Sequence, residues 1–318
     1  MNDAESAALA RAVELARLGA GNVEPNPVVG CVLLQGEEVV GEGYHRAYGG
    51  PHAEIEALTS AGERAYGATA VVTLEPCSTT GKTGPCYAAL VQAGVQRVVV
   101  GAIDPAVYHA GRGLTLLRGR DIDLEIVDDP ECLAMATVFE ACLSRRRPYV
   151  LAKLAVSADG CIAGPNGTPV RLTGEQADAR THAWRASSDA VLVGVQTVVA
   201  DDPQLTVRGT PTLRPVRRVI LDPSLRTSPH ARLFHDVDAA PVWLCATDDA
   251  PSEAAEALEA EGARILRLPA GERWLDDVLM SLHTEGVGRL LVEGGQRTLA
   301  SFLERRFVDQ LAVYVTPA

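Results

Sequence analysis

The sequence predicts two consecutive α/β domains, and three observations lead to that prediction. The chain has 318 residues, 47% of them hydrophobic, which is enough for two separate cores. Apolar strand patterns alternate with helical patterns in both halves, as in sheets with parallel strands. A short basic stretch ending in proline, residues 144–148, separates the halves. We therefore expect one domain over 1–147 and a second over 148–318.

The first half begins with an amphipathic, alanine-rich helix that carries charges throughout. Two apolar runs close together, 28–34 and 38–41, predict a hairpin. Buried strands are predicted at 69–75 and 96–104. Further helices are predicted for HAEIEALTSAG, for GPCYAALVQAGV and for 131–143.

The second half repeats the alternation with different motifs, and the chain has no internal repeat. One helical pattern is clear, GEQADARTHAWRAS. Strands are predicted at YVLAKLAVSADG, 189–194, 217–222, 241–247, 289–295 and the closing VDQLAVYVTP.

Composition excludes several classes of function. The chain carries 29 basic and 41 acidic residues, a net charge of -12, and both halves are acidic. This balance, with 4% aromatic residues, argues against binding to nucleic acid. No segment resembles a signal peptide or a membrane span. Seven cysteines, an odd number, indicate cytosolic thiols or a metal site. We expect a soluble cytoplasmic protein without a membrane partner.

The stretch PCSTTGKTGPC at 76–86 contains two cysteines that could form a disulfide, hold a metal or be unrelated buried thiols. Its Gly-Lys-Thr also raises the question of a phosphate loop. Such a loop needs a glycine at the position that Pro76 occupies, so the pattern does not fit.

Together with His52, the two cysteines of this stretch predict a zinc site. His52, Cys77 and Cys86 would supply three ligands at the starts of helices or just after a strand, leaving the fourth position to water. Glu54 lies two residues after His52, within reach of such a water without being a ligand. His-x-Glu followed by Pro-Cys and a second Cys matches the zinc deaminase signature, although eight residues rather than two separate the cysteines.

Three other interpretations of these residues compete with a small-molecule deaminase. The first is a core histidine with two structural cysteines. The second is a nucleic-acid deaminase, which the acidic charge disfavours. The third is a zinc-stabilised scaffold, which needs a fourth protein ligand. No residue is an obvious fourth, since Cys31 falls in a predicted strand and Cys132 and Cys142 in a predicted helix.

Nearly the whole chain resembles the bifunctional riboflavin biosynthesis deaminase–reductases, the RibD family. The order of the matching motifs, deaminase before reductase, is itself specific. The motifs are PNPVVG (25–30), GEGYH (41–45), HAE (52–54), TLEPC (73–77), GKTGPC (81–86), KLAVSADG (153–160), RASSDAVLVGVQTVVADDPQLTVR (185–208) and LVEGG (291–295).

The resemblance implies a cytidine-deaminase-like α/β/α domain followed by a dihydrofolate-reductase-like α/β domain. The first would use Zn²⁺ to deaminate a diaminopyrimidinone ribosylamino 5′-phosphate, a small pyrimidine nucleotide. The second would use NADPH to reduce its ribosyl group to ribityl. Relatives tend to associate, so we expect a homo-oligomer.

The resemblance also implies roles for individual residues. In the deaminase, His52, Cys77 and Cys86 bind zinc, Glu54 is catalytic, and the substrate pocket holds Asn26, His45, Lys82 and Asp104. In the reductase, the substrate contacts are Lys153, Arg185, Leu205, Arg208 and Glu293. The expected cofactor contacts are Ala155, Thr197, Asp201, Gly294 and Gly295. Two arginines suit a phosphate, and paired glycines before a helix let cofactor phosphates approach its N–H groups.

Four pocket positions depart from the family pattern. Thr79 stands where the family has histidine, Ala106 where it has asparagine, and Pro169 and Arg171 where it has serine and tryptophan. The chain also stops at VYVTPA, where relatives continue, which could leave the second sheet with an open edge. These differences admit an alternative: a paralogue that deaminates a related pyrimidine nucleotide in specialised metabolism, with a weak or inactive reductase.

Overall fold

The structure is a computed structural model that describes residues 1–20, 22–23, 26–79, 84–162, 164, 168, 170–212 and 214–316. The chain divides into two compact units, Met1–Arg146 and Arg147–Ala318. Each unit is an α/β fold with its own sheet and its own hydrophobic core, as the sequence predicts. No helix in the described ranges is long and apolar enough to cross a membrane.

The first unit has a five-stranded sheet. Its strands are β1 (Gly30–Gln35), β2 (Glu38–Tyr44), β3 (Thr69–Val72), β4 (Arg97–Val100) and β5 (Asp123–Ile126), in the spatial order β2-β1-β3-β4-β5. The predicted hairpin is confirmed, since β1 pairs antiparallel with β2. β1 is also antiparallel to β3, whereas β3, β4 and β5 are parallel to one another.

Helices cover both faces of this first sheet. They are α1 (Asp3–Leu18), α2 (Ala53–Ala61), α3 (Cys86–Gln92), α4 (Arg112–Arg118) and α5 (Pro130–Arg145). Alternate residues of each strand face opposite sides. Accordingly, Leu33 packs with α2, α3 and α4, while Val32 packs with α1 and α5. Neither α4 nor β5 was predicted from the sequence.

Small residues bring α2 close to the sheet. A Cβ atom added to Gly41 would lie 2.4 Å from the Ala57 carbonyl oxygen, and one added to Gly43 would lie 2.4 Å from the Ala57 nitrogen. Only glycine allows this approach. The close contact fixes α2, and therefore the residues at its start, against the hairpin.

The second unit has a seven-stranded sheet. Its strands are β6 (Tyr149–Ser157), β7 (Ala190–Gly194), β8 (Arg217–Leu221), β9 (Val242–Thr247), β10 (Arg264–Leu268), β11 (Arg289–Val292) and β12 (Gln310–Thr316). Their spatial order is β10-β9-β8-β7-β11-β6-β12, and all these neighbours pair in parallel. β12 forms one edge of the described sheet. β10 was not predicted from the sequence.

The described residues of this unit also form the α-helices α6 (Glu175–Ala186), α7 (Val195–Asp201), α8 (Ser252–Ala260), α9 (Trp274–Thr284) and α10 (Gln296–Glu304). Two of them begin directly after neighbouring strands, α7 after β7 and α10 shortly after β11. Parallel sheets of this kind bind ligands at the carboxyl ends of their strands. The predicted reductase residues at 197 and 293–295 lie at the carboxyl ends of β7 and β11.

Candidate active sites

Three predicted metal ligands come together in the first unit. The His52 Nδ1 atom lies 3.5 Å from the Cys77 sulfur and 3.2 Å from the Cys86 sulfur. All three ligand atoms lie within 4.8 Å of one another. Two sulfurs and an imidazole nitrogen at this spacing fit a tetrahedral zinc ion with one position left open. Both cysteines are free thiols, so the pair is not a disulfide.

Local structure explains why these ligands meet. His52 is the N-cap of α2 and adopts an extended backbone conformation, while Cys86 is the first residue of α3. Cys77 follows β3 by a few residues, and its sulfur accepts a hydrogen bond from the Cys86 N–H at 3.2 Å. Hydrogen bonds from Cys86 and His52 lower the pKa of the Cys77 thiol, as suits a thiolate ligand.

Glu54 lies in the first turn of α2, two residues after His52, and is buried. It belongs to the same cavity as His52 and Cys77. Burial and, to a smaller extent, the charge of the nearby Cys77 thiolate together raise the pKa of Glu54 to about 7. Such a carboxyl can both accept and release a proton near neutral pH.

Cys31, considered above as a fourth ligand, lies in β1 and is fully buried. Burial raises its pKa well above the usual range, with the charge of Glu54 adding to the effect. Among the described residues, the cluster suited to a metal contains His52, Cys77 and Cys86. This set leaves the fourth position to a non-protein ligand.

The cavity beside the three ligands has a volume of about 380 Å³ and contains three of the four predicted substrate residues, Asn26, His45 and Asp104. His45 is buried, and its Nδ1 lies 2.8 Å from the Pro51 carbonyl oxygen. Since a carbonyl only accepts, His45 donates through Nδ1, and its Nε2 accepts from the Asn26 amide at 3.1 Å. Burial lowers the pKa of His45, which favours this neutral form. The fourth residue, Lys82, lies outside the described residues.

Several further residues line the cavity that the sequence analysis did not select: Tyr48, Glu75, His109 and Phe139. The motif TLEPC contains Glu75, but the motif does not indicate that this carboxylate accepts hydrogen bonds from the Gly111 and Gly113 N–H groups. His109 and Phe139 are far from the motifs in sequence, and only the fold brings them to the site. Thr79, one of the departures from the family pattern, also lines this cavity.

In the second unit, the structure brings four predicted substrate residues together. Arg185 on α6 donates two hydrogen bonds to Glu293, which follows β11. Its Nη1 donates to the Thr206 carbonyl at 2.8 Å. Thr206 adjoins Leu205, whose φ of 56° lies in the left-handed region. The Arg208 N–H donates to His182 Nδ1 at 3.1 Å, so α6 holds this loop at two points.

The expected cofactor residues occupy three places in this unit. Gly294 and Gly295 have φ values of 136° and 75°, and Gly295 is the N-cap of α10. A Cβ added to Gly295 would lie 3.0 Å from the Thr197 hydroxyl oxygen, so Thr197 adjoins the turn. Asp201 is the last residue of α7 and is exposed. Ala155 lies on β6, opposite Tyr314.

Lys153 lies two residues before Ala155 on β6 and is partly buried. Both therefore face the same side of the sheet. The Lys153 ammonium lies 5.7 Å from the Tyr314 ring centroid, a cation–π distance. This contact offsets part of the cost of placing a charge on an apolar strand.

Two of the positions that depart from the family pattern, Arg171 and Ala106, have defined contacts in the structure. Arg171 pairs with Asp178 in the first turn of α6 at 2.7 Å and remains exposed. Its charge is therefore directed to a surface ion pair. Pro169 lies outside the described residues. In the first unit, Ala106 is buried and its N–H donates to Asp104 Oδ1 at 2.8 Å.

The first fold and its three-ligand site define a zinc deaminase of the cytidine deaminase type, joined to an α/β reductase unit. The model for the cytidine and deoxycytidylate deaminase zinc-binding region matches residues 2–102, and the RibD C-terminal domain model matches 148–318. The chain belongs to the RibD family of riboflavin biosynthesis proteins. It is a zinc-dependent deaminase and an NADPH-dependent reductase, as the resemblance implied.

Relatives match almost the entire chain. The riboflavin biosynthesis protein RibD of Aquifex aeolicus is 38% identical over 96% of this chain and 85% of its own length. RibD of Escherichia coli is 38% identical over 97% of this chain and 86% of its own. A deaminase–reductase structure from Thermotoga maritima superposes with a TM-score of 0.77 at 31% identity, covering 98% of this chain and 86% of its own. The structure of Acinetobacter baumannii RibD superposes with a TM-score of 0.75 at 33% identity, covering 99% of this chain and 87% of its own.

Proposed function

We propose that residues 1–147 deaminate 2,5-diamino-6-ribosylamino-4(3H)-pyrimidinone 5′-phosphate, and that residues 148–318 then reduce the ribosyl group to ribityl. The observation that carries the first step is the convergence of His52, Cys77 and Cys86 beside Glu54 in one cavity. The similar Thermotoga maritima protein is a diaminohydroxyphosphoribosylaminopyrimidine deaminase and a 5-amino-6-(5-phosphoribosylamino)uracil reductase, which supports both substrates.

His52, Cys77 and Cys86 would hold the zinc ion, which would supply an activated water in its open position. Glu54 is placed to move the protons. Its carboxylate would take a proton from water as the water oxygen bonds to the pyrimidine carbon that bears the amino group, and would deliver that proton to the amino nitrogen, which leaves as ammonia when the C–N bond breaks. Burial excludes bulk water from this carboxylate, so the proton passes between defined partners.

The remaining cavity residues would bind and orient the nucleotide. The side-chain amide nitrogen of Asn26 donates a hydrogen bond to His45 Nε2. The side-chain carbonyl oxygen of Asn26 would then accept a hydrogen bond from a pyrimidine N–H. Asp104 presents a buried carboxyl whose pKa is raised by burial. Lys82 would meet the 5′-phosphate as a point charge.

In the reductase, NADPH supplies the hydride. Gly294 and Gly295 would admit its phosphates to the N–H groups at the start of α10, beside Thr197. Asp201 and Ala155 are further proposed cofactor contacts. Lys153, Leu205 and Arg208 would contact the ribosyl phosphate, and the Arg185–Glu293 pair would shape that pocket.

We further propose that the enzyme works in the cytoplasm as a homo-oligomer, on a small molecule and without nucleic-acid or membrane partners. The net charge of -12 supports the exclusion of nucleic acid. The described residues include seven cysteines and no disulfide, and two of these cysteines are proposed metal ligands, which suits a reducing compartment. The oligomeric state is tested by measuring the mass of the purified protein by light scattering.

The function is tested with a coupled assay on purified, zinc-loaded protein. The nucleotide is supplied with and without NADPH, while ammonia release and NADPH oxidation are followed separately. Wild type should give both signals. Glu54→Gln should lower ammonia release by roughly 10²–10⁴-fold, because a general acid–base group contributes about that much. It should keep its zinc, and it should oxidise NADPH at the wild-type rate when given the deaminated nucleotide.

The matched control is Glu56→Gln, a carboxylate of the same helix that pairs with Arg46 and is not part of the cavity. It should leave both signals unchanged. Zinc-loaded wild type that gives neither signal would overturn the proposal and favour the paralogue with a different nucleotide. Ammonia release without NADPH oxidation would reject the reductase step alone.

A further inference from the structure

Arg218 on β8 is a charged residue to which the mechanism above assigns no task. Its side chain is 0% exposed. Burial lowers the pKa of Arg218 to about 10, against the opposing charge of Asp236, so the guanidinium is still protonated at neutral pH. Within the described parts of the chain, it donates its hydrogen bonds to backbone carbonyl oxygens and not to a carboxylate. Since a buried cation is costly unless it is well hydrogen-bonded, these carbonyl groups indicate what Arg218 does.

The guanidinium joins two connections of the second unit. On one side, Nε donates to the Ala240 carbonyl at 2.9 Å, and Nη2 donates to the same oxygen and to the Asp236 carbonyl at 3.2 Å. These two residues precede β9. On the other side, Nη1 donates to the Gln204 carbonyl at 3.1 Å. Gln204 belongs to residues 202–208, the 202–208 connection, which follows α7. Arg218 therefore fastens this connection to the segment before β9.

The 202–208 connection contains two of the proposed substrate contacts of the reductase, Leu205 and Arg208. It forms neither helix nor strand, so its shape depends on contacts with other parts of the unit. Leu205 is buried and has a φ of 56°, in the left-handed region. That conformation is costly for a residue with a Cβ atom, and it persists only where the surrounding structure holds it. The groups that hold Leu205 therefore also determine where Arg208 lies.

Two guanidinium groups hold the backbone on either side of Leu205. Arg218 donates to the carbonyl of the preceding residue, Gln204, at 3.1 Å. Arg185 donates to the carbonyl of the following residue, Thr206, at 2.8 Å. Hydrogen bonds from a charged donor are stronger than those between neutral groups. The strained residue is thus fixed at both of its neighbours, once from α6 and once from β8.

We propose that Arg218 is a positioning residue of the reductase, which holds the 202–208 connection through the Gln204 carbonyl so that Leu205 and Arg208 meet the nucleotide. The inference rests on the proposed function of the second unit. It adds a residue that acts through the backbone and does not itself touch the substrate. Without this bond, the connection would be free to leave the left-handed conformation at Leu205 and to carry Arg208 away from the site.

Two substitutions test the proposal in the full-length protein. Arg218→Lys keeps the charge, but a single ammonium group lacks the separated nitrogens with which the planar guanidinium reaches both connections. It should raise the KM for the deaminated nucleotide in NADPH oxidation roughly tenfold, the lower end of the effect of losing one charged hydrogen bond. The value of kcat and the KM for NADPH should stay within about twofold. Arg218→Met removes every donor without leaving a buried charge, and it should raise the KM for the nucleotide further.

Arg267→Lys is the matched control, because Arg267 makes the same kind of contact elsewhere in the sheet. Its Nη1 atom donates to the carbonyl oxygens of Thr247, Asp248 and Ala250 at 3.5, 3.2 and 2.9 Å. These residues follow or end β9 and are not part of the 202–208 connection. Arg267→Lys should keep the wild-type KM for the nucleotide. A wild-type KM in both variants of Arg218, or an equal rise in Arg267→Lys, would overturn the proposal.

Hydrogen exchange followed by mass spectrometry separates positioning from a general loss of stability. In Arg218→Lys without ligands, peptides that cover the 202–208 connection should exchange several-fold faster than in wild type, whereas peptides from α9 should not change. Unchanged exchange at 202–208, or faster exchange in α9 by the same factor, would contradict a local role for Arg218. Wild type that oxidises no NADPH with the deaminated nucleotide would instead reject the proposed function, and the exchange result would still show whether Arg218 holds the connection.

Discussion

Arg185 and Glu293 form a two-point ion pair in the second unit, with Nη2 lying 2.8 Å from Oε2 and Nε donating to Oε1. Their side chains are only 12% and 9% exposed. The remaining Nη1 of Arg185 donates to the Thr206 carbonyl. All three nitrogens of this guanidinium are thus engaged within the protein. We therefore propose that Arg185 shapes the reductase site and that the exposed Arg208 is the arginine that meets a phosphate.

Glu293→Gln tests this pair. Glutamine removes the charge and places an amide N–H against the guanidinium, leaving a buried Arg185 charge without its partner. We expect kcat/KM for NADPH oxidation to fall roughly tenfold or more, since losing one charged hydrogen bond costs about 1.5–3 kcal/mol. Ammonia release by the first unit should not change. Stopped assays on the separate nucleotide substrates measure the two activities.

A second ion pair in the same unit serves as the control. Arg264 and Glu285 also make two hydrogen bonds, at 2.8 and 2.6 Å, but they lie on the surface. Glu285→Gln should leave both activities unchanged, because exposed pairs contribute little. Equal effects of the two substitutions on NADPH oxidation would contradict a local role for Arg185 and Glu293.

The metal site gives a second prediction. Cys86→Ser should reduce bound zinc from about one ion per chain to a small fraction and abolish ammonia release, because zinc needs the full ligand set. The reductase should keep its activity. Metal content is measured by atomic spectroscopy on protein purified without added zinc.

Cys161→Ser is the matched control, because Cys161 is an exposed thiol outside the metal cluster. Its zinc content and both activities should equal those of wild type. Full zinc occupancy in Cys86→Ser, with normal ammonia release, would show that another residue completes the site. Cys31→Ala should then be combined with Cys86→Ser to find whether Cys31 is that residue.

The clustering of the proposed metal ligands beside Glu54 could be predicted because these residues belong to short motifs. His52 and Glu54 are two residues apart, and Cys77 and Cys86 lie in one stretch, so local sequence identifies the chemistry. Apolar periodicity likewise located most strands of both sheets, since buried parallel strands read as short apolar runs. β10, with the sequence RILRL, was missed because two arginines interrupt its apolar pattern.

The parts that sequence could not predict depend on contacts between distant residues. Glu75 meets the residues around Gly111 only after β3 and β4 pair and α4 packs against them. His109 reaches the cavity by the same folding event. The pairing of Arg185 with Glu293, 108 positions apart, also follows from sheet order, in which β7 and β11 are neighbours. The spacing of residues within a motif does not predict contacts between residues that are far apart in the sequence.

Glu75 supplies a third prediction. Its Oε2 accepts from the Gly111 N–H at 2.8 Å and from the Asp104 N–H at 3.3 Å, while Oε1 accepts from the Gly113 N–H at 2.9 Å. Glu75→Gln would turn an amide NH₂ toward some of these donors. We expect a loss of about 1–3 kcal/mol in the free energy of unfolding, the cost of leaving buried donors unpaired. The KM for ammonia release should rise, because Asp104 is displaced.

Chemical denaturation and steady-state ammonia assays measure these two effects. Glu63→Gln, a change at an exposed carboxylate, should alter neither quantity. If Glu75→Gln unfolds at the wild-type denaturant concentration and keeps its KM, Glu75 does not hold the turn that carries Asp104.

A fourth prediction concerns the pH dependence of stability in the first unit. Glu5 on α1 is 5% exposed and pairs with Arg97 of β4 at 2.7 Å. Arg97 also contacts Asp123 and Glu125, and the Met1 amino group pairs with Glu125. The hydrogen bond from Arg97 lowers the pKa of Glu5, against the opposing effect of burial.

A carboxyl whose pKa is depressed by folding stabilises the protein at pH values above its unfolded pKa, about 4.3, and loses that contribution as pH falls through the folded pKa. Glu5→Gln should therefore lower the free energy of unfolding by about 1–2 kcal/mol at pH 7, because a buried charged hydrogen bond is lost. The difference from wild type should shrink steadily below pH 4, where Glu5 itself becomes neutral. Urea unfolding at several pH values measures the difference, with Glu63→Gln expected to match wild type throughout. A difference that stays constant down to pH 3 would mean that packing of the Glu5 side chain, and not its charge, stabilises α1 against β4.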